Sequence, residues 1–260
     1  MSLRNNGKQK EGITIETKRL NGNCAEDIVI AAELLKNGGL VAIPTETVYG
    51  LAADATNGAA VERIFKAKGR PQDNPLIVHI SSYEQLERLV SHIPEHAKRL
   101  METFWPGPLT VILPKSNLIP DQVSAGLPTV AVRFPSHPVA RAVIQEAGVP
   151  LAAPSANVSG SPSPTAAAHV LHDLDGKIDA VIDGGPCTVG LESTVITLAE
   201  ETPVLLRPGA VTFEQLQQVL GTVKMADAVL HQWKQGSVAA SPGMKYKHYA
   251  PKAKLILLEG

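Results

Sequence analysis

The strongest constraint on the fold is an alternation along the chain. Short apolar runs, rich in β-branched residues and bounded by Gly or Pro, are interleaved with helical patterns. The runs at 40–44 (LVAIP), 76–80 (LIVHI), 109–113 (LTVIL), 130–133 (VAVR), 180–183 (AVID), 194–198 (TVITL) and 204–206 (VLL) read as strands. Helical periodicity falls near 25–37, 59–68, 82–90, 94–103, 137–147, 165–173 and 212–220. Ser82 with Gln85, and Thr212 with Gln215, have capping-box spacing, and Gly221 sits where a helix would end. Strands mixed with helices predict an α/β (α+β-like) domain around a mostly buried sheet.

The pattern runs over residues 13–221, after a polar start. Residues 222–253, with Gln, Gly, Ser and the pair Pro242-Gly243, read as a linker. The apolar stretch 254–260 reads as one strand, which either pairs with the main sheet or begins a second domain.

Charge narrows the function. Lys plus Arg number 24 and Asp plus Glu 25, a net charge of −1, so no global basic surface for nucleic acid exists. Aromatics are 4%, too few for base-stacking platforms. Twenty prolines and 21 glycines imply many tight turns, which suits a site made of loops. Two distant cysteines, Cys24 and Cys187, make neither a disulfide framework nor a zinc site, and a cytoplasmic setting is the simple reading. The start MSLRNNGKQKEG lacks an apolar signal core, and no apolar stretch is long enough to span a membrane. The phosphate loop GxxxxGK[ST], GxGxxG, HExxH, paired CxxC and GxSxG are all missing, and the histidines show no metal-ligand spacing.

What remains is a set of polar clusters at strand ends. RIFKAKGR (63–70) carries four cations and no acid; Arg63, Lys66 and Arg70 have one-face spacing. It is either a solvated helix face or, with Lys68 and Arg70 at the helix end, a polyphosphate grip. PTETVYGL (44–51) is either a polar turn satisfying its own backbone or the rim of a ligand crevice. Arg133 is embedded in the apolar strand TVAVRFP, so it either pairs internally or receives an anionic ligand group. Ser155 and Asn157 follow the apolar LAA at a strand end, and Ser163 to Thr165 look like a helix entry, a natural anion site. LESTVITL and RPGA add Ser193, Thr194 and Arg207. Tyr249 in HYAP either lies over a bound base or packs on the surface. Cations with many hydroxyls and few carboxylates suit an anionic substrate such as a nucleotide.

The ordered set PTETVYGL, KAKGRPQDNPLIVHI, FWPGPLT, AVRFP, APSAN-SG, GLESTV and RPG over residues 38–221 resembles the YrdC-like L-threonylcarbamoyladenylate synthases. The segment SPGMKYKHYAPKA (241–253) is similar to the linker of the longer, two-domain subtype, whose second, Rossmann-like domain is represented here by about one strand. The resemblance implies an open, twisted mixed sheet with flanking helices and a large concave site. It implies that L-threonine and bicarbonate (or CO2) form a carbamate that attacks the α-phosphate of ATP. Threonylcarbamoyl-AMP then passes to a separate transferase that modifies tRNA. L-threonine is expected at Thr47, His79, Arg133, Ala153 and Ser193. ATP is expected at Lys66, Lys68, Arg70, Asn74, Thr129, Ser155, Ser163, Arg207 and Tyr249. Mg2+ is expected to travel with ATP, held mostly by phosphates and water, with no protein metal ligand named. Two alternatives stand beside this: a carbamoyl-adenylate-forming transferase of the hydrogenase-maturation type, and a non-catalytic double-stranded RNA-binding module with weak tRNA affinity resting on the RIFKAKGR patch.

Overall fold

The computed structural model describes residues 16–230. Its strands are β1 (Lys18–Asn21), β2 (Val41–Ile43), β3 (Gly50–Asp54), β4 (Ile77–His79), β5 (Leu109–Pro114), β6 (Thr129–Arg133), β7 (Leu151–Ala152), β8 (Ala180–Asp183), β9 (Thr194–Thr197), β10 (Val204–Arg207) and β11 (Lys224–Met225). They form one open sheet in the order β1-β8-β2-β3-β7-β4-β6-β5-β9-β10-β11. The pairing is mixed: β4 runs parallel to β6, whereas β5 runs antiparallel to it. The helices are α1 (Ala25–Lys36), α2 (Gly58–Lys68), α3 (Tyr83–Leu89), α4 (Glu95–Phe104), α5 (Asp121–Ser124), α6 (Pro138–Ala147), α7 (Ala167–Leu174), α8 (Phe213–Leu220) and α9 (Asp227–Leu230).

Strand alternation sorts the core. Val78, Val111, Val132 and Ile196 point to one face and join Ile64, Leu86, Leu100, Val170 and Leu216 of the helices in the largest apolar cluster. Each such side chain contributes about 1.5–3 kcal/mol on burial. The opposite face is divided. Helices α1 and α6 cover β8, β2, β3 and β7 through Ala31, Leu35, Ala140, Val143 and Ile144. Beyond them, Ile77, Ile112, Ala131, Val195 and Leu206 form a small separate cluster. His79 and Arg133 point to this divided face, two residues on from Ile77 and Ala131.

Local chemistry explains the boundaries. Asn57 caps α2 by accepting from the Ala59 and Ala60 amides at 3.1 and 3.2 Å. Gly69 closes that helix at φ 61°, and Arg70 N–H returns to the Phe65 carbonyl at 3.0 Å. Thr212 and Gln215 form the full reciprocal box expected for α8. Ser82 makes only half of one, because the Gln85 side chain accepts from the Ser81 amide instead.

Several expectations are corrected. The end of PTETVYGL, Gly50 and Leu51, opens the largely buried strand β3 rather than closing a turn. The polar edge strand β1 carries too little apolar pattern to be seen in sequence, whereas the short β7 lies in the apolar LAA that reads as a strand end. Helix α7 begins at Ala167, so Ser163–Thr165 do not form a helix entry. The expected linker start at 222 lies within the sheet's reach, since β11 pairs parallel with β10. Tyr249, the rest of the linker from 231, and 254–260 lie outside the described residues.

Candidate active site

A cavity of about 110 Å3 lies on the divided face, where β4, β6 and β7 end beside the loops 44–49 and 191–193. Thr47, His79, Arg133, Ala153 and Ser193 all line it, as do Arg70, Ser155 and Arg207. Apolar parts of the wall come from Val48, Leu76, Ile77 and Pro154.

Arg133 meets the first of its two sequence readings, internal pairing, and it also lines the cavity. It is 3% exposed and its Nη2 lies 2.7 Å from Glu46 Oε1, a buried ion pair. Its Nη1 also donates to Thr47 Oγ1 at 2.7 Å. Glu46 is held from behind, since its Oε2 accepts from the Ser136 amide at 3.1 Å and its carbonyl accepts from Val189 N–H at 2.7 Å. The guanidinium is thus fixed in place while still reaching the cavity.

The hydroxyls are equally constrained. Thr45 Oγ1 donates to the Val48 carbonyl at 2.7 Å and lies 2.9 Å from Thr47 Oγ1. With Thr45's proton so used, Thr47 donates to Thr45 and offers the cavity an acceptor. Ser193 Oγ accepts from Arg207 Nη2 at 3.1 Å and lies 2.7 Å from the buried Thr110 hydroxyl. Arg207 also grips the Ser193 carbonyl through Nε and Nη2, at 3.0 and 2.9 Å. Gly209 is required here: a Cβ would meet the Thr194 amide and come within 2.7 Å of the Glu192 carbonyl.

Electrostatics follow from burial. Desolvation, then the adjacent Arg133 charge, pushes His79 down to about 3, so the ring is neutral at pH 7. No protein group among the described residues bonds its buried Nδ1. Burial pushes Arg207 down to about 10, against the opposing pull of Glu192, and it stays charged at pH 7. The wall therefore presents three guanidiniums, with Glu192 as its lining carboxylate and Glu46 committed to Arg133. It suits a ligand bearing several negative charges and offers hydroxyls without an activated nucleophile.

Other expected nucleotide residues are not brought to this wall. Lys66 is exposed and faces a separate groove with Arg63 and Lys177. Arg63 is paired with Asp179 at 2.9 Å, so the RIFKAKGR run is not a continuous cationic face. Lys68 is buried, its ammonium donating to the Ser155 and Asn157 carbonyls. Thr129 stands at the far end of β6 from Arg133, about 13 Å away at 3.3 Å per residue. Ser163 donates to Glu192 Oε1 at 2.6 Å, a carboxylate that lines the wall, and is not itself a lining residue. Asn74 is buried with neither amide atom bonded to a described group, yet it does not line the cavity.

A family model for Sua5, YciO and YrdC proteins, described as telomere recombination, matches residues 33–209. The chain belongs to the Sua5/YciO/YrdC family. A second model, for the C-terminal domain of threonylcarbamoyl-AMP synthase, matches residues 211–260 of this family member. It is 55% identical to the threonylcarbamoyl-AMP synthase of Pyrococcus abyssi over 90% of this chain and 68% of that one. It is 53% identical to the Bacillus subtilis synthase over 97% of this chain and 72% of the relative. The crystal structure of P. abyssi Sua5 complexed with L-threonine superposes with a TM-score of 0.86 at 52% identity, covering 92% of this chain and 70% of that one.

Sequence reasoning on this family member missed two carboxylates. Glu46 lies within PTETVYGL and Glu192 beside Ser193 in LESTVITL. The available signal for Glu46 was its place between an apolar strand and YGL, where a carboxylate must find a buried cation.

Proposed function

We propose that this chain makes threonylcarbamoyl-AMP and pyrophosphate from L-threonine, bicarbonate or CO2, and ATP. The observation that carries this reading is the fixed Arg133 guanidinium beside Thr47, His79 and Ser193, in one cavity with Arg70 and Arg207. The synthases of P. abyssi and B. subtilis, at more than half identity, support it.

In this reading the threonine amine adds to CO2 and loses a proton, forming a carbamate. A carbamate oxygen then bonds to the α-phosphorus, the bond to the bridging oxygen breaks, and pyrophosphate leaves with that electron pair. Arg133 holds the threonine carboxylate, and neutral His79 and Thr47 orient its polar groups. Arg70 and Arg207 oppose the charge that grows on the phosphates. Ser155 places the nucleotide side. Position and charge do the catalysis, in keeping with a wall of hydroxyls and guanidiniums.

Among the described residues there is no group of three His, Cys, Asp or Glu side chains that could hold a metal ion. Magnesium would travel with ATP, held mostly by phosphates and water, and no step is assigned to it. The product would pass to a separate transferase acting on tRNA. No described helix is long and apolar enough to cross a membrane.

Pyrophosphate release from ATP tests the proposal. Release that requires both L-threonine and bicarbonate is expected. Release without threonine, or none with both present, would overturn it.

A further inference from the structure

Lys68 carries a charge that the proposed mechanism does not use. It is the last residue of α2, is 2% exposed, and its ammonium meets carbonyl oxygens rather than open space. Its Nζ donates to the carbonyls of Ser155 and Asn157. Its own carbonyl accepts from Ser159 N–H at 2.9 Å, so the residue holds the 155–159 loop from both ends. Asn157 continues the clamp, its Nδ2 donating to Val158 and Ser161 carbonyls at 2.9 and 2.8 Å. On the far side Asp173 of α7 accepts from Val158 N–H at 3.0 Å. The other face of this loop is the cavity wall, where Ser155 stands and bridges to Gly50.

We propose that Lys68 is a positioning residue, which sets the nucleotide side of the cavity through the Ser155 and Asn157 carbonyls without touching a phosphate. This rests on the synthase reading for the identity of the nucleotide. A carbonyl pair needs a donor at this point, and an unbonded buried carbonyl is costly. A cation aimed at phosphate would instead leave its ammonium in the cavity.

The surroundings make the clamp sensitive to pH. Arg70 from the following loop faces Lys68, Asp173 faces it from α7, and Lys66, Arg63 and Lys177 line the groove outside. Burial, reinforced by Arg70 and opposed by Asp173, pushes Lys68 down to about 7. The ammonium is present below that value and is lost as pH rises through it.

The test is calorimetric titration of the full chain with ATP and, separately, with L-threonine, from about pH 6 to about pH 9. The variants are Lys68→Met, which removes the donor, and Lys68→Gln, which keeps a neutral one. Wild type is expected to bind ATP more weakly as pH rises through 7, by roughly threefold to tenfold. Lys68→Met should weaken ATP roughly tenfold at pH 6 and show a flat profile, while Lys68→Gln recovers part of the loss. L-threonine affinity should stay within about twofold throughout. A pH dependence that survives in Lys68→Met, or equal losses in Gln and Met variants with a salt-dependent ATP affinity, would overturn the proposal. If Met fails to fold, the wild-type pH series and the Gln variant decide alone. Absence of threonine-dependent pyrophosphate release would count against the synthase reading, whereas these binding data bear on Lys68.

Discussion

The two sides of the cavity contrast sharply in how they are built. Every residue expected to hold L-threonine lines the wall, whereas Arg70, Ser155 and Arg207 alone do so among the described residues expected to hold ATP. The threonine side rests on strand ends and buried cross-links. Arg133 is locked by Glu46, Thr47 by Thr45, and Ser193 by Arg207 and Thr110. The nucleotide side draws on the loops 69–76 and 153–165 and on α2, where a side chain's target depends on tertiary contacts. A pre-organised wall binds with little reorganisation, so the proposed threonine subsite is the more rigid half.

The largest effect should come from breaking the lock on the rigid half. Arg133→Ala leaves Glu46 buried without its cation, an arrangement that costs roughly 3–5 kcal/mol. Threonine-dependent turnover should fall by more than roughly a hundredfold, and the thermal midpoint should drop with it. The double variant Arg133→Met, Glu46→Gln should regain much of the midpoint and none of the turnover. Full activity in either would equate the two walls and erase the contrast.

A smaller effect follows from His79. Its folded value near 3 lies below its unfolded value near 6.5, so the unfolded chain binds the extra proton between them. The stability this neutral histidine contributes is complete above about 6.5 and is lost as pH falls toward 3. Chemical denaturation over that window should show stability declining on acidification, with a shallower decline in His79→Gln. An unchanged slope in the variant would remove His79 from the rigid half.

The smallest effect should belong to Lys66. It is exposed and turned away from the cavity, so Lys66→Ala should change ATP and L-threonine affinities by less than about twofold. A large loss of ATP affinity would extend the nucleotide side to the α2 surface.

These differences track what a sequence can carry. Arg133 was legible as a buried charge in an apolar strand, and Thr47 and Ser193 as hydroxyls at strand ends. Most strands were legible as apolar runs, apart from the polar β1, the two-residue β11 and β3, whose GLAAD has little β-branching, while the mixed pairing came from the resemblance alone. Lys68 illustrates the limit. Its neighbours in sequence mark it as a cation at a helix end, but its partners are 87 and 89 residues away, and only the folded loop shows that they are carbonyls. Glu46 is the converse case, a short polar residue whose partner, Arg133, was already under suspicion but lay far along the chain.

The most direct test of the threonine subsite is a crystal structure of this chain with L-threonine. The ligand carboxylate is predicted on Arg133, with its remaining polar groups within hydrogen-bond reach of Thr47, His79 or Ser193. L-threonine bound elsewhere, or bound in this cavity with its carboxylate away from Arg133, would contradict the account.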